Sequence, residues 1–242
     1  MTVINAIKFD KNTGAMCCDE QTTIGDVRRM MSSDKIQQIV PTSIRKALKL
    51  EVLYGGTGTT AIGDEVRKGM KLRITREYEE LKNKTRERIE HLKTIDEIAQ
   101  IGFEEMMKVK HRHVNDIIKG YFSFESKDFN QGFYNDRENK KIEISQKDVK
   151  DKVFGLINWK DAEEADGVFL NAAIVCGFDE TGEFKIFKLN MKTDMTIDLV
   201  PSIFFFFFSG SDASQIIFAA YSGVKTVSER RNKIDRVEGI IQ

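Results

Sequence analysis

Thr2-Val3-Ile4-Asn5-Ala6-Ile7-Lys8-Phe9 alternates in the manner of a β-strand, with Val3, Asn5, Ile7 and Phe9 on one side and Thr2, Ile4, Ala6 and Lys8 on the other. Both sides are fairly apolar, which predicts a strand covered on both faces. Asp10-Lys11-Asn12-Thr13-Gly14 carries turn chemistry, and Ala15 to Cys18 reads as a second short strand, so the two form a hairpin. Gln21 to Asp34 is polar and reads as irregular, with Arg28 and Arg29 inside it as solvated loop residues. Lys35 to Val40 alternates again until Pro41 breaks the strand, and Thr42 to Lys49 is a loop or a short helical insert. Leu50 to Tyr54 resumes strand character and runs into Gly55-Gly56-Thr57-Gly58.

From Thr60 to Lys119 the texture changes. Charge density rises, proline is absent, and Leu72, Tyr78, Leu81, Ile89, Leu92, Ile95, Ile98, Ile101, Phe103, Met106 and Met107 recur at helical spacing. Two helices are predicted, over 60–93 and 95–119, with Thr94 and Glu97 forming a capping box. Tyr121 to Asn139 reads as an exposed turn region and Ser145 to Asn158 as a short helix. Strands return at Phe169 to Phe178 and Glu183 to Leu189, joined by the turn Asp179-Glu180-Thr181-Gly182. Ile197 to Phe208 reads as one further strand. Ser209-Gly210-Ser211-Asp212 then leads into a helix over 213–229. Strands, helices, strands and a helix in that order suit an α+β sandwich with helices outside two antiparallel sheets.

At 242 residues the chain is long enough to bury a core without crosslinks, and it is read as one domain over 1–242. Lys plus Arg equals Asp plus Glu at 38 each, so no global field favours nucleic acid or an anionic membrane. Cys17 and Cys18 are adjacent, point to opposite faces of a strand and are poor disulfide partners. With Cys176 they make an odd count, which reads as a reduced, cytoplasmic protein. No leader is read, and no apolar run is long enough to span a bilayer; Phe204 to Phe208 is too short for that and reads as a strand buried on both faces.

The segment from Met1 to Gly58 also carries a chemical pattern. A small residue after Met1 favours removal of that Met, which would leave Thr2 with a hydroxyl nucleophile and a free α-amine as its base. Such a nucleophile needs a nearby cation to hold the amine neutral, an acid to orient that cation, and a backbone N–H facing the oxyanion. Lys35, Asp19 and Gly55 are candidates for those roles.

On Thr2, Asp19 in Cys-Cys-Asp-Glu, Lys35 in Ser-Ser-Asp-Lys-Ile and Gly55 in Tyr-Gly-Gly-Thr-Gly, the chain resembles the proteasome β-subunit branch of the N-terminal nucleophile (Ntn) hydrolases. The Gly177 to Gly182 hairpin and the Ser209-Gly210-Ser211 turn extend the resemblance, which covers positions 1–62 and 168–220. It implies a four-layer αββα sandwich with 60–119 as an enlarged helical hairpin and 204–242 as a shortened C-terminal part. It further implies a threonine-type endopeptidase, with Thr2 as nucleophile and base, Lys35 tuning the amine, Asp19 orienting Lys35 and Gly55 serving the oxyanion. Ser209, Ser211 and Asp235 would support the N-terminus. The implied partners are a peptide or protein substrate, other copies of the chain in a homo-oligomer or ring, and an ATPase or cap. No cofactor, metal, nucleic acid or membrane is expected.

The chain departs from that pattern in its long charged middle, in the short span from Asp212 to Asp235, and in Glu238, which stands where the family usually has a serine. Two alternatives follow: a catalytically inactive structural member of the same fold, or a transpeptidase or ligase in which an amine resolves the acyl-threonine. Other candidates carry less. His91, His111 and His113 read as surface residues, since His111 and His113 do not share a helix face and nothing completes a zinc site. The Lys/Glu-rich run 71–93 reads as a solvated helix face.

Overall fold

The computed structural model of the chain describes residues 4–18, 21–24, 28–31, 35–83, 92–158, 171–191, 197–199 and 206–207. Strand β1 (Ile4–Asp10) pairs antiparallel with β2 (Thr13–Cys18), from Ile4 opposite Cys18 to Asp10 opposite Thr13. On its other side β1 pairs with β12 (Phe206–Phe207), completing a three-stranded sheet. A five-stranded antiparallel sheet runs in the order β11 (Ile197–Leu199), β10 (Phe184–Asn190), β9 (Ala172–Phe178), β6 (Glu51–Thr57), β5 (Ile36–Gln38). Helices α2 (Thr60–Lys82) and α3 (Ile95–Phe122) cover the outer face of this sheet. The fold is α+β, with antiparallel sheets flanked by helices.

Period-2 alternation divides the strands of the larger sheet between two cores. Val52, Tyr54, Ala173, Val175, Phe187 and Leu189 face the helices. Ile174, Cys176, Phe184 and Ile186 face the smaller sheet and pack with Ile4 and Ala6 of β1. Residues Ile4 to Lys8 are all buried, so β1 is covered on both faces as its sequence implies. In α2 the buried positions Ile62, Val66, Met70 and Ile74 recur every four residues, giving the helix one apolar stripe. Each such side chain contributes roughly 1.5–3 kcal/mol on burial.

Several expectations need correction. Gln21 to Asp34 is not irregular throughout: β3 (Gln21–Ile24) and β4 (Arg28–Met31) form a hairpin, with Gln21 opposite Met31 and Ile24 opposite Arg28. Thr22 and Thr23 fit a pleated backbone although their polarity reads as loop. Helix α2 is described only to Lys82, and 84–91 lie outside the described residues. The expected exposed turn after Tyr121 holds a helix, α4 (Ser126–Gln131), and a hairpin of β7 (Phe133–Asn135) and β8 (Lys141–Glu143). Its aromatics are structural: Phe122 stacks on Phe124 and Phe124 packs on Tyr134, with ring centroids 5.6 and 5.5 Å apart. The single strand expected over 197–208 is two, β11 in the larger sheet and β12 in the smaller. Pro201 lies between them in sequence and has no N–H for a ladder.

The two helices α1 (Thr42–Leu48) and α5 (Lys147–Asn158) match the predicted short insert and short helix. Thr94 and Glu97 make the expected capping box, Thr94 Oγ1 accepting from the Glu97 N–H at 3.3 Å and Glu97 Oε2 from the Thr94 N–H at 2.9 Å. The predicted helix 213–229 lies outside the described residues. Among the described residues no helix is long and apolar enough to cross a membrane.

Candidate functional site

Four chain positions converge at one end of the two sheets. Ile4 begins β1 and is paired with Cys18, the last residue of β2. Ile36 begins β5 and is paired with Gly55, near the end of β6. The two pairs touch across the sheets. A Cβ at Gly55 would lie 3.1 Å from Ile4 Cγ2 and would collide with Cε of Met16. A side chain there would have to displace the Met16 methyl group and press on Ile4, which gives Gly55 a steric reason.

The sequence candidates attach to these positions. Lys35, half-buried, directly precedes Ile36. Asp19 follows Cys18, and Thr2 is two residues from Ile4, a separation the backbone spans in at most about 7 Å. Thr2 and Asp19 themselves lie outside the described residues, as do Ser209, Ser211 and Asp235. Lys35 and Gly55 are therefore the two candidates whose surroundings are on view, and they stand at the same end of neighbouring strands.

The direction of the backbone N–H groups on β6 follows from the ladder. The Ile39 N–H donates to the Val52 carbonyl at 3.0 Å. In an antiparallel pair successive residues alternate in the side to which they bond. With Ile36 opposite Gly55 and Gln37 opposite Tyr54, Tyr54 turns its polar backbone toward β5 and Gly55 turns its own toward β9, where it lies opposite Ile174. The next N–H aimed at the β5 side belongs to Gly56, at the level of Lys35. A Gly-Gly pair in sequence does not reveal which member faces which neighbour.

Tyr54 supports that stretch of β6 from the helix side. It is fully buried, and its ring edge would meet a Cβ on Gly56 at 3.2 Å. Burial raises its phenol well above the usual range, with the Arg67 charge acting in the opposite direction.

The other ionisable groups form structural contacts. His113 lies 3.2 Å from Glu65, and burial with the nearby Arg112 charge lowers its imidazole below the usual value, Asp116 opposing. Among the described residues no group of three or more His, Cys, Asp or Glu is arranged to hold a metal. Cys17 is exposed and Cys18 half-buried, on opposite faces of β2. Cys176 is buried between the sheets, which pushes its thiol up to about 12.

No protein-family model matches the chain. No curated protein matches its sequence. Among solved structures it is similar to the helical assembly of the Anbu complex from Pseudomonas aeruginosa, with a TM-score of 0.54 and 11% identity, covering 98% of this chain and 71% of that one. It is also similar to Anbu (ancestral beta-subunit) from Yersinia bercovieri, with a TM-score of 0.49 and 8% identity over 90% of this chain and 65% of that one. A third is Anbu from Hyphomicrobium sp. strain MC1, with a TM-score of 0.49 and 10% identity over 93% of this chain and 66% of that one. The chain thus spans about 65% of the length of the first Anbu proteins it matches. The likeness to the Pseudomonas structure shows a proteasome-like fold. It also corrects the identification made from motifs: the matched structures are Anbu proteins, and at 11% identity they do not carry assignment of this chain to the Ntn hydrolases.

Proposed function

We propose that the chain is a proteasome-like threonine peptidase that cleaves peptide bonds with Thr2, exposed by removal of Met1. Thr2 Oγ1 attacks the substrate carbonyl while the Thr2 α-amine takes the hydroxyl proton. The amine then passes that proton to the leaving amine, and an ester acyl-enzyme remains until water releases it. The Lys35 ammonium favours the neutral form of the α-amine, and Asp19 orients Lys35. The oxyanion is assigned to the backbone at Gly55 and Gly56, and the absence of a Cβ at Gly55 supplies the close packing beside it. Ser209, Ser211 and Asp235 are assigned to support of the N-terminus.

The observation that carries this reading is the convergence of Ile4, Cys18, Ile36 and Gly55, because Asp19 and Lys35 adjoin two of those positions in sequence and Thr2 is two residues from a third. The whole chain, 1–242, acts as one domain in this reading, and several copies form a homo-oligomer that confines the site. The Pseudomonas Anbu complex, which forms a helical assembly, supports that expectation. The odd cysteine count supports a cytoplasmic setting. An ATPase or a cap would deliver folded substrates.

A second reading, an inert structural subunit, is favoured by Glu238, which stands where a supporting serine is expected. Intact mass before and after a threonine-directed epoxyketone separates the two. Loss of Met1 with one added probe mass, absent in Thr2→Ala, is the expected result. Mature chains that begin at Thr2 yet take no probe would overturn the peptidase reading. Exchange of a labelled amine into substrate would redirect it to a transpeptidase.

A further inference from the structure

Met16 packs against the contact between the sheets and has no role in the chemistry described so far. Its side chain is half-buried, packed against the cluster of Ile4, Ala6, Ile174, Cys176, Phe184 and Ile186. The Cys176 thiol donates to Met16 Sδ at 3.6 Å. Cε of Met16 occupies the space that a Cβ on Gly55 would need, beside Ile4 Cγ2 and Cδ1.

These contacts make one chain of atoms. Cys176 is on β9, Met16 on β2, Ile4 on β1 and Gly55 on β6. Methionine is unbranched and adaptable, so its methyl group would be poorly placed without an anchor. The anchor is a thiol that burial keeps protonated, so it remains a donor across the working pH range.

We propose that Met16 is a positioning residue: its thioether, held by Cys176, seats its methyl group on Gly55 and Ile4 and so sets the separation between the start of β1 and the Gly55-Gly56 backbone. This rests on the reading of Thr2 as the nucleophile at the start of that strand. A displacement of about 1 Å between nucleophile and oxyanion donor costs on the order of a hundredfold in rate, and the Met16 contact is a direct way to prevent it.

Two measurements on the full chain test the proposal. Amide chemical shifts and hydrogen exchange of Gly55 and Gly56 read the position of the backbone whether or not the protein is active. Met16→Ala should move both amide signals and speed their exchange at least tenfold, with the amides of α3 unchanged. Met16→Leu, which keeps most of the volume but has no thioether for Cys176 to hold, should restore them only in part, and Cys176→Ala should show a smaller shift in the same direction as Met16→Ala. Epoxyketone labelling of Thr2 then reads the consequence. Met16→Ala should slow the inactivation step roughly a hundredfold with little change in probe affinity. Gly55 and Gly56 signals that match wild type in Met16→Ala would overturn the proposal. Shifted signals together with a wild type that takes no probe would retain the positioning role and overturn the peptidase reading instead. If Met16→Ala fails to fold, Met16→Leu and Cys176→Ala carry the same comparison, and wild-type signals in both would overturn it.

Discussion

Asp179 Oδ2, at the end of β9, accepts a hydrogen bond from the backbone N–H of Ile95, the first residue of α3, at 3.4 Å. The other carboxylate oxygen accepts from the Thr181 backbone N–H at 3.0 Å and the Thr181 hydroxyl at 2.5 Å. One buried side chain thus closes the β9–β10 turn and satisfies a donor at the start of the helix that covers the sheet.

Acid should release that contact. Burial opposes ionisation of Asp179, but the Thr181 and Ile95 hydrogen bonds and the Lys185 charge together hold its carboxyl below the usual 3.8. Its folded value is depressed, so its contribution is fully present above the unfolded value and is lost as pH falls through the lower folded one. Stability of wild type against urea should fall as the pH drops below about 4. Asp179→Asn should be destabilised by about 1–3 kcal/mol at pH 7 and lose part of that acid dependence. An unaltered acid slope in the variant would count against the assignment.

Gly55→Ala should destabilise the chain by about 1–3 kcal/mol, the usual range for overpacking. The added methyl has Met16 Cε and Ile4 Cγ2 in its way. Gly63→Ala, where a Cβ meets nothing within 4 Å, is the control and should be neutral or slightly stabilising. Equal midpoints for the two variants in a urea titration would show that β1 and β6 do not meet as described.

Arg73→Met should be costlier than Glu104→Gln, although each removes a member of the same ion cluster. Arg73 Nε donates to Glu77 Oε1 at 2.7 Å and its guanidinium also donates to Glu104 Oε2 at 2.5 Å. Glu77 is 8% exposed, and among the described residues its Oε2 has no hydrogen-bond partner. Removing Arg73 strands that buried carboxylate, for an expected loss of roughly 3 kcal/mol. The Glu104 side chain is 43% exposed, and its loss should cost less than about 1 kcal/mol. Thermal melts of the two variants check the order.

Lys35→Ala should lower the rate of Thr2 acylation by roughly 10²–10⁴-fold with the fold intact by circular dichroism. Without a neighbouring cation the Thr2 amine holds its proton to higher pH, so the acid limb of the pH–rate profile should move upward. A profile that keeps its wild-type limb would remove Lys35 from the tuning role.

Local patterns were legible where neighbours in sequence are also neighbours in space. The β1–β2 hairpin, the Thr94–Glu97 capping box and the Asp179 to Gly182 turn all close within a few residues. The β3–β4 hairpin was missed because its residues are polar and short of apolar alternation. The division of 197–208 between two sheets was missed because periodicity shows strand character without naming a strand's partner. Met16 reads as an ordinary strand residue, and its anchor Cys176 lies 160 positions away.

By itself the sequence determined the alternation of β1, the apolar stripes of the helices, the turns, and the presence of Thr2, Asp19, Lys35 and a Gly-Gly pair in that order. These depend on side-chain chemistry and on the strand and helix periods, which are properties of a single segment. Only the tertiary structure decided that the start of β1 sits on Gly55, that Met16 fills the space between them, and that Gly56 turns its N–H toward β5. Those outcomes depend on which strands pair, and pairing is set by burial of both sheet faces across segments far apart in the chain.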